Sequence, residues 1–147
     1  MNNEYIFLKT LHELLLSPKG VLIEMPDKII PTGFKISKAV LNITHVVDDQ
    51  AYFTRRSLKH LIDKGIAVDV FINQTKITLC EPDEIRKGKT KNRYVLSKKL
   101  QSDGDNKNHV VILEIKPEYG HLIVTIFTGK QKYLSNFNLL WRTAVLS

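Results

Sequence analysis

The stretch VVILEIKPEYGHLIVTIFT, residues 110–128, decides the fold. Two runs rich in valine, isoleucine and leucine, residues 110–115 and 122–128, lie on either side of the connector Pro-Glu-Tyr-Gly at 117–120. Such runs are typical of strands, and a short connector with proline and glycine favours an antiparallel pairing between them. The stretch therefore predicts a β-hairpin.

Alternation along the second strand of this hairpin sorts its side chains into two faces. Ile123, Thr125 and Phe127 are predicted on one face, with Leu122, Val124 and Ile126 on the other. Thr125 is then a polar residue in mid-strand, and its hydroxyl is a candidate for binding a phosphate.

Outward from the hairpin, one more strand is predicted at 93–100 and a short helix or coil at 130–141. Helices are predicted earlier in the chain, and a loop and a short strand separate the first two of them. The helices are predicted at 4–16, from the N-cap candidate Ser37 to about 47, at 55–64 and at 66–80. The pattern of the last one is less clear, because it contains several β-branched residues. The short strand is predicted at 21–25 and the loop at 26–33. Helices first and a meander afterwards predict an α+β fold, with N-terminal helices packed on a C-terminal antiparallel sheet of about four strands.

The composition fits one globular domain with a polyanionic partner. The chain has 147 residues, 43% hydrophobic, and a formal charge of +7. This charge favours RNA, DNA, an acidic protein or a membrane surface without choosing among them. The single cysteine, Cys80, excludes an internal disulfide and follows an apolar run, so it is expected to be a small buried residue.

No apolar run approaches the length needed to cross a bilayer, and no basic segment precedes the first apolar residues. We therefore expect a cytoplasmic protein without a membrane partner.

The basic helix RRSLKHLIDK at 55–64 carries the strongest functional signal. Helical geometry places Leu58, Leu61 and Ile62 on one face and brings Arg56 and His60 together on another. Arg55 and Lys59 form a second pair four residues apart on the flank.

A second basic segment precedes the 93–100 strand. Residues 86–91 contain four lysines and arginines and no acid, so Lys87, Lys89 and Lys91 are candidates for contacting a nucleic-acid backbone. Arg93 and Tyr94 open the strand beside this loop, and alternation predicts that they face opposite sides of the sheet.

These residues permit only some chemistries. The acidic residues are scattered and the five histidines have no compact ligand spacing, so no metal site or cofactor is predicted. Gly-rich phosphate loops and nucleophile elbows are also missing from the sequence. Metal-free RNA cleavage fits better, because His60 can transfer a proton near neutral pH while neighbouring cations stabilise the phosphorane.

Several segments together resemble the phage and polymorphic-toxin branch of the barnase, EndoU, colicin D and RelE nuclease superfamily. The matching segments are YFTRRSLKHLI at 52–62, EPDEI at 81–85, NRY at 92–94, IVTIF at 123–127, YL at 133–134 and LWRT at 140–143. The resemblance covers about residues 50–143, so it divides the single domain of residues 1–147 into an accessory segment at 1–50 and a nuclease-like core at 51–143.

The resemblance implies a helix on a four-stranded antiparallel sheet and a metal-independent endoribonuclease of a toxin or phage effector. RNA, often transfer RNA, would be its substrate, and an antitoxin or immunity protein a possible partner. His60 would be the general acid or base, and Thr125 the strand hydroxyl that orients the phosphate. The family's basic residues beside the histidine would correspond to Arg55, Arg56 and Lys59. From the residues themselves, Arg93 is expected as a further cation that stabilises the phosphate and Tyr94 as a further substrate contact.

Two alternatives remain open from the residues themselves. A non-catalytic nucleic-acid-binding module would use the same basic surface, but His60 would be dispensable. A structural or phage interaction protein would turn this surface to an acidic partner.

Overall fold

The hairpin that the sequence predicts within residues 110–128 lies at the centre of the sheet. The computed structural model describes residues 2–18, 28–65, 67–100 and 107–144. In chain order the elements are α1 (Asn3–Leu16), β1 (Ile29–Lys35), α2 (Lys38–Thr44), β2 (Gln50–Thr54), α3 (Arg55–Asp63), α4 (Val68–Cys80), β3 (Glu84–Lys87), β4 (Arg93–Lys99), β5 (Lys107–Lys116), β6 (Gly120–Lys130), α5 (Gln131–Leu134) and β7 (Leu139–Arg142).

The strands form one mixed sheet in the order β1-β2-β6-β5-β4-β3-β7. Strands β3 to β6 make an antiparallel meander. Strand β2 pairs parallel to β6, at the end of the meander away from β3. The predicted α+β class is confirmed. The sheet has seven strands rather than about four, because β1 and β2 extend the meander on one side and β7 extends it on the other.

Two apolar clusters lie on opposite faces of this sheet. On the face that we call the helix face, α1 to α4 pack against residues such as Leu96, Val111 and Ile126. On the opposite face, which we call the α5 face, Leu134 and Phe137 cover Val95, Val110 and Phe127. Phe7, Phe34 and Val40, from the N-terminal segment, belong to the larger cluster together with the meander.

A β-bulge in β6 corrects the predicted faces of that strand. The pairing passes from Ile112 with Thr125 to Leu113 with Ile123, so Val124 is an extra residue. Ile123 therefore joins the helix-face cluster with Ile126. Thr125 stays on the α5 face, since it is two residues from Phe127 with no bulge between them.

The predicted loop at 26–33 is wrong for its second half, where β1 begins at residue 29. Pro31 is tolerated because β1 is an edge strand. Gly33 is required because its φ is +74° and a Cβ there would lie 2.3 Å from the backbone nitrogen of Glu4 in α1. The predicted strand at 21–25 lies outside the described residues.

The helices are closer to prediction. Helices α1, α3 and α4 are confirmed, and Ser37 caps α2 as expected, but α2 ends at residue 44 because His45 adopts a left-handed conformation. Cys80 is exposed rather than buried, since the inward face of α4 is occupied by Ile72, Thr75 and Leu79.

A fully buried histidine joins α4 to β5. The Thr75 hydroxyl donates to the Phe71 carbonyl at 2.7 Å and lies 2.8 Å from His109 Nε2. Since the hydroxyl has one hydrogen, Nε2 must donate to it, which leaves the lone pair on Nδ1. Nδ1 has no hydrogen-bond partner among the described residues. Burial of this ring lowers the pKa of His109 from 6.5 to about 4.

Acid should therefore destabilise the fold through His109. The unfolded chain binds a proton near pH 6.5, whereas the folded chain resists protonation until about pH 4, so stability falls as the pH drops through this window. The shift corresponds to roughly 3 kcal/mol. We expect urea unfolding of His109→Gln to show a flatter pH dependence between pH 7 and 4 than the wild type. Substitution of His12, which is exposed on α1, is the control; equal slopes for wild type and His109→Gln would contradict the assignment.

Candidate functional site

Helix α3 presents the predicted acid–base residue to solvent. Thr54 caps the helix by accepting a hydrogen bond from the Ser57 backbone nitrogen at 3.0 Å. Leu58 and Leu61 are buried in the helix-face cluster, whereas Arg56 and His60 are exposed. The separation of faces predicted for this helix is confirmed, and no hydrogen bond joins the His60 ring to any described residue.

Lys59 is oriented into the protein. It is only 4% exposed, and its ammonium donates to Asp63 Oδ1 at 2.8 Å and to the Pro18 carbonyl at 2.9 Å. Its charge is therefore neutralised within the fold, and it ties α3 to the end of the first helical segment. Arg55, at the start of the helix, is partly exposed.

Some cations of the basic segment at 86–91 contact the protein, whereas others are exposed to solvent. Lys87 donates to the carbonyls of Thr90, Lys91 and Arg93, and its ammonium lies 4.7 Å from the centre of the Tyr94 ring. It thus closes the β3–β4 connection. Lys89 and Lys91 are exposed, so they are the cations of this segment that a ligand can reach.

Arg93 and Tyr94 face opposite sides of the sheet, as alternation predicts. Tyr94 packs against the helix-face cluster. Arg93 donates to Glu114 Oε1 at 2.9 Å, and Lys116 contacts the other oxygen of the same carboxylate. Hydrogen bonds from Lys116 and Arg93 lower the pKa of Glu114.

The predicted site residues do not come together at one place. His60 lies on α3, which packs on the helix face, whereas Thr125 lies on the α5 face. Lys89 and Lys91 lie in the β3–β4 connection, on the other side of the sheet centre from β2 and α3. The structure therefore shows two separate basic surfaces and a distant threonine.

A buried charge network at the β3–β7 edge was not among the predicted site residues. We call it the Glu84 network: Glu84, Arg86, Gln131 and Arg142. Glu84 Oε1 accepts from Arg86 Nη2 at 3.0 Å and Nε at 3.3 Å, and from Gln131 Nε2 at 3.3 Å. Oε2 accepts from Arg142 Nη2 at 2.6 Å and Nε at 2.9 Å.

This network brings together distant parts of the chain. Glu84 and Arg142 belong to the EPDEI and LWRT segments, and β3 pairs with β7 so that they lie opposite each other. Burial alone would raise the pKa of Glu84, but the hydrogen bonds from Arg142, Arg86 and Gln131 outweigh burial and lower it. The carboxylate therefore stays ionised as a structural anion. A Glu-to-Arg spacing of 58 residues gave no signal for this pairing from the sequence alone.

Two other kinds of feature are absent from the described ranges. No group of three or more histidine, cysteine, aspartate or glutamate side chains there could hold a metal ion. In that same part of the chain, no helix has the length and apolar character to span a membrane. Comparisons with protein-family models, curated proteins and solved structures gave no match.

Removal of the Glu84 charge should destabilise the protein strongly. Glu84→Gln leaves Arg86, which is only 7% exposed, without its buried counter-charge. Breaking a buried ion pair by removing one partner costs about 3 kcal/mol or more. Urea denaturation should show this loss, whereas Glu13→Gln on the exposed side of α1 should change stability by under about 0.5 kcal/mol. Similar small changes in both variants would show that the network contributes little.

Proposed function

We propose that this protein is a metal-independent endoribonuclease in which His60 transfers the proton. The observation that supports this most is the exposure of the His60 ring, which makes no hydrogen bond to the described residues. The exposed Arg56 lies one helical turn from it. A histidine in this position is available to a substrate, and it does not contribute to the core.

The reaction would begin with attack of a ribose 2′-hydroxyl on the adjacent phosphorus. The proton of the hydroxyl goes to the base, the bond to the 5′-oxygen breaks, and that oxygen receives a proton, which leaves a 2′,3′-cyclic phosphate. His60 serves as the base or the acid. Arg56, one turn before His60, would bind a non-bridging oxygen, where negative charge increases in the transition state, and Arg55 on the flank of the helix would contact a neighbouring phosphate.

Thr125 and Arg93 do not take part in the cleavage step of this proposal, although from the sequence we expect both to contact the scissile phosphate. They lie on the α5 face and cannot contact the same phosphate as His60 in this arrangement. Arg93 is also paired with Glu114. We assign the cleavage step to α3 and regard the exposed lysines of the β3–β4 connection as contacts for a more distant part of the RNA.

The biological setting that we propose is a toxin or phage effector in the cytoplasm, acting on RNA such as transfer RNA and held in check by an antitoxin or immunity protein. The second candidate is an RNA-binding module without chemistry. The separation of His60 from Thr125 and Arg93 favours that candidate, because the hydroxyl and the arginine expected to act on the phosphate lie on the opposite face of the sheet.

Cleavage should persist in EDTA and depend on His60. Purified protein should cut RNA in the presence of the chelator and leave 2′,3′-cyclic phosphate ends. His60→Ala should reduce the single-turnover rate by about a hundredfold, the usual scale for a lost proton-transfer group. Because His60 is exposed, the melting temperature should hardly change.

His12→Ala, at an exposed histidine on α1, is the matched control and should retain full activity. Strict Mg²⁺ dependence would exclude this mechanism. If the wild type and His60→Ala bind RNA with equal affinity and neither cleaves it, the result would favour the binding module.

The exposed lysines of the β3–β4 connection should contribute to affinity rather than to the chemical step. Replacing Lys89 and Lys91 with glutamine removes two accessible charges and leaves Lys87 in its structural contacts. If each lysine contacts one phosphate of a single strand, the slope of log affinity against log salt should shrink by about 1.4. The cleavage rate at saturating RNA should stay near that of the wild type.

Fluorescence anisotropy across a salt series would measure this slope. The double substitution of Lys9 and Lys38 by glutamine removes two exposed charges elsewhere and should leave it unchanged. An unchanged slope for the Lys89 and Lys91 variant would place the RNA away from this connection.

A further inference from the structure

The Glu84 network carries one more positive charge than negative charge. Arg86 and Arg142 both contact the Glu84 carboxylate, and Gln131 is neutral. The two arginines differ in how many of their N–H groups remain available to a ligand. Arg86 uses Nε and Nη2 on Glu84 and Nη1 on the Phe137 carbonyl at 2.9 Å. Its charge is therefore fully engaged inside the protein.

Arg142 has one side turned to solvent. Its Nε and Nη2 bind Glu84, whereas its side chain is 50% exposed and Nη1 has no hydrogen bond to the described residues. An arginine held by one edge presents its remaining N–H groups in a fixed direction. Such a group is suited to an anion with several acceptor oxygens, because little further ordering is needed on binding.

We propose that Arg142, held in place by Glu84, binds a phosphate group of the RNA backbone. This inference rests on the proposed function, because it takes RNA as the ligand of the protein. It adds a binding position on the α5 face that is separate from α3.

The surroundings of Arg142 fit a phosphodiester chain. Glu84 pairs with Ser97 on β4, and Lys99 projects from the same face two residues further along that strand. Lys99 is exposed. The nearby acids Glu81 and Asp83 lie 4.0 and 3.6 Å from the Lys98 ammonium, so their charges are partly compensated. Lys99 and Arg142 thus flank the network as two accessible cations.

The position is too far from His60 for the two residues to contact one phosphate. Strands β2 and β7 are five steps apart in the sheet, which at the usual strand spacing is about 24 Å. Arg142 would therefore bind a phosphate several nucleotides from the cleaved bond, and its loss should weaken binding more than it slows cleavage at saturation.

The test uses a single-stranded 2′-O-methyl RNA oligonucleotide, which lacks the attacking hydroxyl and so reports binding alone. Its affinity is measured across a salt series for the wild type, Arg142→Gln, Lys99→Gln and the control Lys9→Gln. The salt slope should fall by about 0.7 for Arg142→Gln and for Lys99→Gln. Lys9→Gln, on the exposed side of α1, should match the wild type.

Arg142→Lys supplies a check on the geometry. It keeps the charge but loses the two-pronged contact with Glu84, so we expect a near-normal slope with affinity reduced severalfold. If Arg142→Gln does not fold, as judged by its melting curve, Arg142→Lys and Lys99→Gln decide the question, since Lys99 is exposed.

Unchanged slopes for Arg142→Gln and Lys99→Gln, in a wild type that binds, would overturn the Arg142 position and leave the proposed function standing. A wild type that neither binds this oligonucleotide nor cleaves unmodified RNA would overturn both. A wild type that cleaves RNA in EDTA, together with Arg142→Lys and Lys99→Gln that bind as it does, would again reject Arg142 alone.

Discussion

The pairing of β5 with β6 is the constraint on which the rest of the structure depends. It runs along nearly the whole of both strands, and β6 in turn pairs with β2, which attaches the β1–β2 pair to the meander. The bulge at Val124 determines which side chains reach each face, since one extra residue reverses the alternation. Ile123 and Ile126 can therefore both enter the helix-face core, three residues apart, while Thr125 is directed to the other side.

The Glu84 network plays the corresponding role at the far edge. Strand β7 is short, and Leu139 and Leu140 are exposed, so Trp141 makes its apolar contact with the core. The ion pair with Glu84 and the pairing with β3 attach this strand to the sheet, and Gln131 attaches α5 to the same carboxylate. A buried ion pair is costly to desolvate. Its presence here is explained by positioning: it fixes β7, α5 and the direction of Arg142 through one group.

Hydrophobic periodicity was sufficient to predict the α+β class, the central hairpin and the faces of α3. It failed where the determining interaction was long-range. Residues 50–54 and 139–142 are too short to show a period, and become strands because β6 and β3 offer open edges. Lys59 has the sequence of a surface cation, yet Asp63 one turn later and the Pro18 carbonyl draw it inward. Neither the bulge nor the Glu84–Arg142 pair has a local signature in the sequence. The separation of Thr125 from His60 depends on which face of the sheet α3 covers, and the periodicity of α3 does not specify that face.

The separation of the charged residues bears directly on mechanism. A metal-free ribonuclease needs its proton-transfer group and its phosphate-binding cations around one phosphorus atom, and on α3 it is Arg56 that shares an exposed face with His60. The cations on the β3–β4 connection and at Arg142 are accessible on other parts of the molecule, and the sheet fixes their distances from α3. Because the sheet holds these residues apart, they cannot all contact the same phosphate. Under the proposed function, a long RNA strand would contact them in succession, so affinity would be spread over the molecule whereas cleavage would depend on α3.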